Sequence, residues 1–265
     1  MRINVITYCT GYPYEIYERF AGSLYDTGFS GKLFFIISPN EIQLLHKLRI
    51  EYPNVFFFVD TSTPSTHLNC HRFFVYQYLF QHQAFDVDLL LLCDSRDVLF
   101  QKNIEEYPYS DDIDLYAFQE GVLLKNETLC NVPWIQILEI YMDTPILEHI
   151  KDNPVICCGT TIAKVPAMIR YVDTMCHILD TYQINMNLDQ GIHNYLLYMN
   201  KLGLRIKYME NKDHLVNTVA CDTHLVNELN KIVTSDGEVS YIVHQYDRFS
   251  DELKQKISIK YNFTI

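Results

Sequence analysis

Hydrophobic and polar residues follow two alternating rhythms over the first 120 positions. Short apolar runs rich in β-branched and aromatic residues predict strands at Ile3–Tyr8, Lys32–Ile37, Val55–Val59 and Leu89–Cys93. Between them, apolar residues recur at helical spacing. Ile16, Phe20 and Leu24 mark a helix over Tyr14–Asp26, and Ile42, Leu45 and Leu48 mark one over Pro39–Glu51. A longer helix is expected over Thr66–Gln83, capped by Ser65 or Thr66. The Leu89–Cys93 run is apolar at every position, as a strand buried on both faces requires. A β-α-β-α order of this kind predicts a parallel, doubly wound sheet.

The second half is less regular. Ile113–Gln119, Val155–Ile162 and Val239–Val243 read as strands, and Val165–Tyr182 and Leu188–Asn200 as helices, with Pro166 near the start of the first. An exposed tail is expected at Ser250–Lys256. No repeat, low-complexity block or Pro/Gly-rich linker marks a boundary. The expectation is one domain over 1–265, with a nucleotide-binding half (1–120) and a mixed extension (121–265).

Charge removes some functions. With 33 acidic and 21 basic residues the chain carries a net −12, which argues against phosphate-coating nucleic-acid binders and against docking on anionic lipid. No apolar run approaches the ~20 residues of a membrane span. The eight cysteines show neither CxxC pairs nor metal-ligand spacing. With no signal peptide in view, they read as reduced, mostly buried thiols of a cytoplasmic protein, and the sequons at Asn126–Thr128 and Asn262–Thr264 as chance matches.

Four segments carry candidate chemistry. In Cys93-Asp94-Ser95-Arg96-Asp97-Val98-Leu99-Phe100 a buried strand opens into two carboxylates and a guanidinium. The carboxyl ends of strands in an open α/β sheet form the ligand crevice, and carboxylates there can hold a divalent cation. The plainer reading is a turn capped by Asp94 and Asp97, with Arg96 paired to one of them. Val243-His244-Gln245-Tyr246-Asp247-Arg248 supplies an imidazole after the last strand, which would favour Mn²⁺ over Mg²⁺. Against this stands the reading of His244 as a satisfied histidine near the core. Asn187-Leu188-Asp189-Gln190-Gly191-Ile192-His193 places Asp189 and Gln190 at a helix start, where a simple N-cap is the alternative. In Cys157-Cys158-Gly159-Thr160-Thr161, Gly159 permits close approach of a ligand or forms a β-bulge, and the two cysteines point to opposite faces.

Taken together, these segments resemble nucleotide-sugar-dependent glycosyltransferases of the GT-A fold. Cys93–Gln101 stands where glycosyltransferase-like proteins carry a DxD-variant, and Asp189–Tyr195 and Val243–Arg248 stand where they carry an Asp-Gln-Gly-x-His-Asn-Tyr run and a late Val-His-Gln-Tyr-Asp-Arg run. Two residues separate the aspartates here, against one in a standard DxD. The resemblance implies a Rossmann-type, mostly parallel sheet and transfer of a sugar from a nucleoside diphosphate, such as UDP, to an acceptor hydroxyl. It implies Asp97, His244 and Asp94 as ligands of Mn²⁺ or Mg²⁺, with Asp97 the main one. Thr7, Tyr8 and Asp60 would hold the nucleoside. Arg72, Arg96 and Arg248 would lie near the phosphates, and Gly159, Thr160 and Gln190 along the donor. Asp189 would act beside the sugar as general base or orienting group, with Glu120 the competing acid. A carbohydrate or glycoconjugate would be the acceptor.

Two other readings were weighed. A sugar-phosphate nucleotidyltransferase normally has a basic, Gly-rich loop after the first strand, whereas Thr10–Glu15 contains one Gly and no Lys or Arg. A non-catalytic carbohydrate-binding or scaffold protein on the same fold would use some of the 20 Tyr and 15 Phe as stacking surface. No GxGxxG or GxxxxGK[ST] pattern points to a dehydrogenase or a P-loop enzyme.

Overall fold

A computed structural model describes residues 1–43, 45–219, 225–252 and 254. Cys221, part of the expected Ser250–Lys256 tail and the Asn262–Thr264 sequon lie outside the described residues. The chain runs β1 (Ile3–Tyr8), α1 (Tyr14–Tyr25), β2 (Leu33–Ile37), α2 (His46–Glu51), β3 (Val55–Val59), α3 (Leu68–His82), β4 (Leu89–Cys93) and β5 (Val98–Phe100). It continues through β6 (Leu115–Leu123), α4 (Asn131–Met142), α5 (Leu147–Ile150), β7 (Pro154–Lys164), α6 (Val165–Thr181), α7 (Asp189–Tyr198) and β8 (Ile206–Met209). The short strands β9 (Val216–Thr218), β10 (Leu225–Val226), β11 (Ile232–Val233) and β12 (Ile242–His244) follow.

Seven strands form one sheet in the order β3-β2-β1-β4-β7-β6-β8. The first four are mutually parallel. β7 runs antiparallel to both β4 and β6, and β8 is parallel to β6. The expected mixed extension is therefore strand β7, inserted backwards at the centre of the sheet. The carboxyl ends of β1–β4, β6 and β8 and the start of β7 share one edge.

Both faces of this sheet are covered. Leu90 and Leu92 of β4 pack among α3, α4, α6 and α7, while Leu89, Leu91 and Cys93 pack on the side of α1 and α2. That two-sided burial is why β4 has no polar position. Helix α1 buries Tyr17, Phe20, Ala21 and Leu24, so its inward face is centred on Tyr17 more than on Ile16. At about 25 cal/mol per Å² of buried apolar surface, such faces supply most of the favourable energy of folding.

Local expectations fail where tertiary bonds intervene. The Pro39–Glu51 helix is broken into a 3₁₀ turn at Pro39–Glu41 and α2, with Ile42 half exposed. The break follows Glu41, whose carboxylate turns inward to accept from Gly11 N (2.6 Å), Ser38 N (2.7 Å) and Tyr17 Oη (2.7 Å). The cap of α3 is neither Ser65 nor Thr66 but His67, whose Nδ1 accepts from Asn69 N. Thr66 instead donates to Ile184 O at 2.9 Å. The described cysteines are unpaired, and all but Cys130 are buried. No helix among the described residues is long and apolar enough to cross a membrane.

Candidate active site

The site begins with a pairing register. After β4 the chain turns through Asp94–Asp97 and enters β5, which leaves the large sheet for a smaller one ordered β5-β12-β9. In that sheet His244 lies opposite Val98, and Gln245 N donates to Asp97 O at 2.8 Å. This pairing brings the late histidine beside the two aspartates, from which it is far separated in sequence. His244 Nε2 stands 3.6 Å from Asp94 Oδ2 and 3.9 Å from Asp97 Oδ1. Both gaps exceed a hydrogen bond. Nε2 is buried and has no hydrogen-bond partner among the described residues.

The other imidazole nitrogen is engaged. His244 Nδ1 lies 3.6 Å from Cys157 Sγ, which also accepts from Gln245 Nε2 at 3.6 Å. Burial pushes the Cys157 thiol well up, so it stays neutral, and the adjacent Glu120 carboxylate adds to the effect. A proton on Nδ1 pointing to sulfur leaves the Nε2 lone pair facing the carboxylates. Cys157 escaped the sequence reading as a site residue, and the only signal for it was its position on the strand face opposite Cys158.

Charges in the cluster are strained. Burial would raise the Asp94 carboxyl, but the Arg72 guanidinium beside it, with His244, holds it below its ordinary value. Burial, with Asp94 and Asp247 nearby, raises Asp97 against the pull of His244. Burial disfavours a charged His244, yet the two carboxylates override it and raise the imidazole. A divalent cation relieves all three conflicts at once. Two carboxylates and an imidazole are also the donors that Mn²⁺ or Mg²⁺ sites use. Ligand atoms of all three residues lie within 4.8 Å of one another. The residues present thus fit a metal.

Gly159 makes the room. Between β6 and β7 the register jumps from Ala117↔Thr161 to Phe118↔Cys157, so Cys158–Thr160 bulge out of that ladder. Asp94 N donates to Gly159 O at 2.8 Å. A Cβ on Gly159 would fall 2.6 Å from Asp94 Oδ2 and 2.6 Å from His244 Nε2. The β-bulge is observed, and the groups that crowd Gly159 are the side chains of Asp94 and His244. Thr160 is wholly buried, and its hydroxyl has no partner among the described residues.

The Asp189–Tyr195 segment is mostly structural. Gln190 Oε1 accepts from Cys158 N (2.7 Å) and its Nε2 donates to Ile156 O (3.0 Å), replacing the bonds that the bulge removes. Asn194 completes the repair, accepting from Ile156 N and donating to Ile156 O at 2.9 Å each. Gly191 packs against the Trp134 backbone. His193 is buried with Nδ1 2.8 Å from Tyr171 Oη, and burial, helped by Arg72, lowers its pKa to about 3. Gln190 therefore points into the protein rather than along a donor. Neither Asn187 nor Asp189 caps α7: the N-cap is Leu188, without a side-chain bond.

Asp189 is the exception in this segment. It accepts from Arg72 Nη2 at 2.8 Å, and Arg72 Nη1 bonds Asp94. Arg72 is thus no exposed helix charge: its side chain is 12% exposed and bridges the two acids. Arg96 pairs with Asp247 at 2.7 Å, beyond the cluster, while its carbonyl accepts from Arg19 and Tyr246. Arg248 is exposed and outside this network. Glu120 falls inside β6, which runs on to Leu123, and is buried beside Cys157 and His244.

A cleft of about 290 Å³ opens over the cluster, lined by Tyr8, Thr10, Tyr12, Asn69, Arg72 and Asp94–Asp97 among others. Thr7 is buried in β1, and its hydroxyl has no partner among the described residues. Tyr8 Oη donates to Asp60 Oδ2 at 3.0 Å, and Ser62 and His71 also bond that carboxylate. Hydrogen bonds from Ser62, Tyr8 and His71 outweigh burial and lower the Asp60 pKa.

No family model and no curated protein matches the sequence. Solved structures match the fold. The chain is similar to the galactosyltransferase LgtC, solved with donor and acceptor sugar analogues, at TM-score 0.58 and 12% identity over 98% of this chain and 97% of that one. An active-site mutant of LgtC gives TM-score 0.60 at 12% identity over 97% and 94%. Mouse xyloside xylosyltransferase 1 gives 0.56 at 12% identity over 93% and 98%. The fold is GT-A-like, as the sequence led us to expect.

Proposed function

We propose that the protein is a metal-dependent glycosyltransferase that takes its sugar from a nucleoside diphosphate donor, UDP-sugar in the first instance. One observation carries this reading: His244 Nε2, without a partner among the described residues, faces two carboxylates that line a cleft at the carboxyl edge of the sheet. The fold it shares with known glycosyltransferases supports it.

Asp94, Asp97 and His244 would hold the cation, which when bound supplies Lewis-acid neutralisation of a diphosphate leaving group. The remaining roles belong to the chain. Tyr8, Thr10 and Tyr12 line the end of the cleft suited to base and ribose. Arg72 is the only cation contacting both Asp94 and Asp189 among the described residues, and it supplies fixed positive charge beside the phosphates in an otherwise acidic protein. Asp189 is bound to that guanidinium at 2.8 Å, which occupies one of its oxygens and fixes the carboxylate in place. It therefore fits orientation of the sugar hydroxyls better than proton abstraction. Glu120 acts through Cys157 on His244 rather than on substrate.

Metal-dependent release of UDP from a panel of nucleotide sugars tests the proposal. Turnover with Mn²⁺ that stops with a chelator and in Asp97→Ala is expected. Absence of turnover, with nucleotide affinity indifferent to chelator, would leave only the inert carbohydrate-binding alternative.

A further inference from the structure

A second cavity lies outside the cleft, at the open edge of the sheet. It measures about 630 Å³ and sits between the end of β3, the loop that follows and the exposed flank of α3. Phe58, Phe74 and Tyr78 give it aromatic walls, and Thr61, Thr63 and Ser65 give it a hydroxyl rim. Phe58 and Phe74 are half-buried on an edge strand and a helix, and Tyr78 is 53% exposed. No Lys or Arg lines the cavity.

Its one carboxylate is already spent. Asp60 Oδ1 accepts from Ser62 N (2.9 Å) and Ser62 Oγ (2.5 Å), and Oδ2 from Tyr8 Oη (3.0 Å), with His71 Nε2 at 3.2 Å. This knot walls the cavity off from the nucleotide cleft, because Tyr8 lines the cleft and Asp60 and His71 line the cavity. A phosphate finds no Lys or Arg among the lining residues, and a cation finds Asp60 already bonded to Ser62, Tyr8 and His71.

We propose that this cavity is a second carbohydrate site, taking a neutral saccharide unit separately from the donor. Sugar rings present C–H faces that pack on aromatic rings and hydroxyl edges that bond to Ser and Thr, and the cavity offers both, its one carboxylate being already bonded. The site does not depend on the metal cluster. It lies beside the donor cleft, so an acceptor chain or a product strand can be held there while its end reaches the cleft.

Saturation-transfer NMR on the full chain, with lactose and maltose as probes, tests this. Transfer to ring protons is expected for at least one probe, unchanged by excess UDP with Mn²⁺ and unchanged in Asp97→Ala. Tyr78→Ala, on an exposed helix flank, should weaken binding by about tenfold. Ser65→Trp, which fills the cavity from the exposed loop, should abolish it. Transfer from neither sugar overturns the proposal. So does transfer that UDP displaces while Tyr78→Ala has no effect, because that places the sugar in the donor cleft. Transfer from uridine, lost in Tyr78→Ala, with none from the sugars, overturns it in favour of a nucleoside pocket. Loss of Mn²⁺-dependent UDP binding alone would sink the donor reading and leave this one standing.

Discussion

Two segments look equally functional in the sequence, and the structure uses them in opposite ways. Around Asp189–Asn194, Gln190 and Asn194 spend their amides on the backbone of Cys158 and Ile156, and His193 is committed to Tyr171. Around Asp94, Asp97 and His244, an imidazole nitrogen and two acids stand close without a hydrogen bond between them. The first segment repairs a bulge and the second keeps its donors open. Rich polar composition marks both, and His193 Nε2 is also buried without a partner among the described residues; only at Asp94, Asp97 and His244 does an open imidazole nitrogen face carboxylates, as a ligand site requires.

Substitutions can break or sharpen that contrast. Asp97→Ala should lower Mn²⁺ affinity by about 100-fold or more, beyond the 10–100-fold usual for groups behind the ligands. Its melting temperature should hold or rise, because burial makes an ionised Asp97 unfavourable. Isothermal titration and a thermal melt together check this. A large loss of stability would mean that Asp97 is structural after all.

Gly159→Ala pushes a methyl group against Asp94 and His244. We expect Mn²⁺ affinity to fall by about 10–100-fold, measured by the same titration. Cys157→Val removes the acceptor behind Nδ1 and should cost about 10-fold, while Cys157→Ser should recover most of it. ¹⁵N chemical shifts of the His244 ring in the metal-free protein report whether Nδ1 keeps its proton.

Gln190→Leu belongs to the other side of the contrast. It strands the Cys158 N–H and should cost about 1–3 kcal/mol of stability in urea, with metal affinity of the folded protein nearly unchanged. The smallest effect is on pH dependence. Folded His193 stays neutral down to about 3, below its ordinary 6.5. The unfolded chain takes up that proton first, so stability is full above pH 6.5 and falls as pH drops. The slope approaches about 1.4 kcal/mol per pH unit. His193→Gln should flatten the fall between pH 6 and pH 4 by that amount. His244, raised in the folded state, works in the opposite sense near neutrality and is common to both proteins.

The parts of this that were legible in sequence follow from their physics. Strands β2 and β4 were readable because two-sided burial leaves no polar position to confuse the pattern, and β1 and β3 because their β-branched and aromatic runs stay apolar apart from Asn4 and Thr7. The group Asp94, Asp97 and His244 was readable because Asp94 directly follows an apolar strand, Asp97 directly precedes one and His244 ends one. The bonds of Gln190 to Cys158 and Ile156 were not legible because a side-chain amide that mends a bulge looks the same in sequence as one that binds a ligand. The exposed position of Arg248 was not legible because it depends on the left-handed turn at Gln245 (φ 66°), which brings Tyr246 and Asp247 back to Arg96. The break in Pro39–Glu51 depended on Tyr17 and Gly11, which no local pattern reveals.

The most direct test is a crystal soaked with Mn²⁺ and UDP and measured at the manganese absorption edge. The account predicts an anomalous peak about 2.0–2.5 Å from His244 Nε2 and from oxygens of Asp97 and Asp94, with the diphosphate on its open side. Bound UDP with no peak there, or a peak that leaves His244 outside coordination distance, would contradict it.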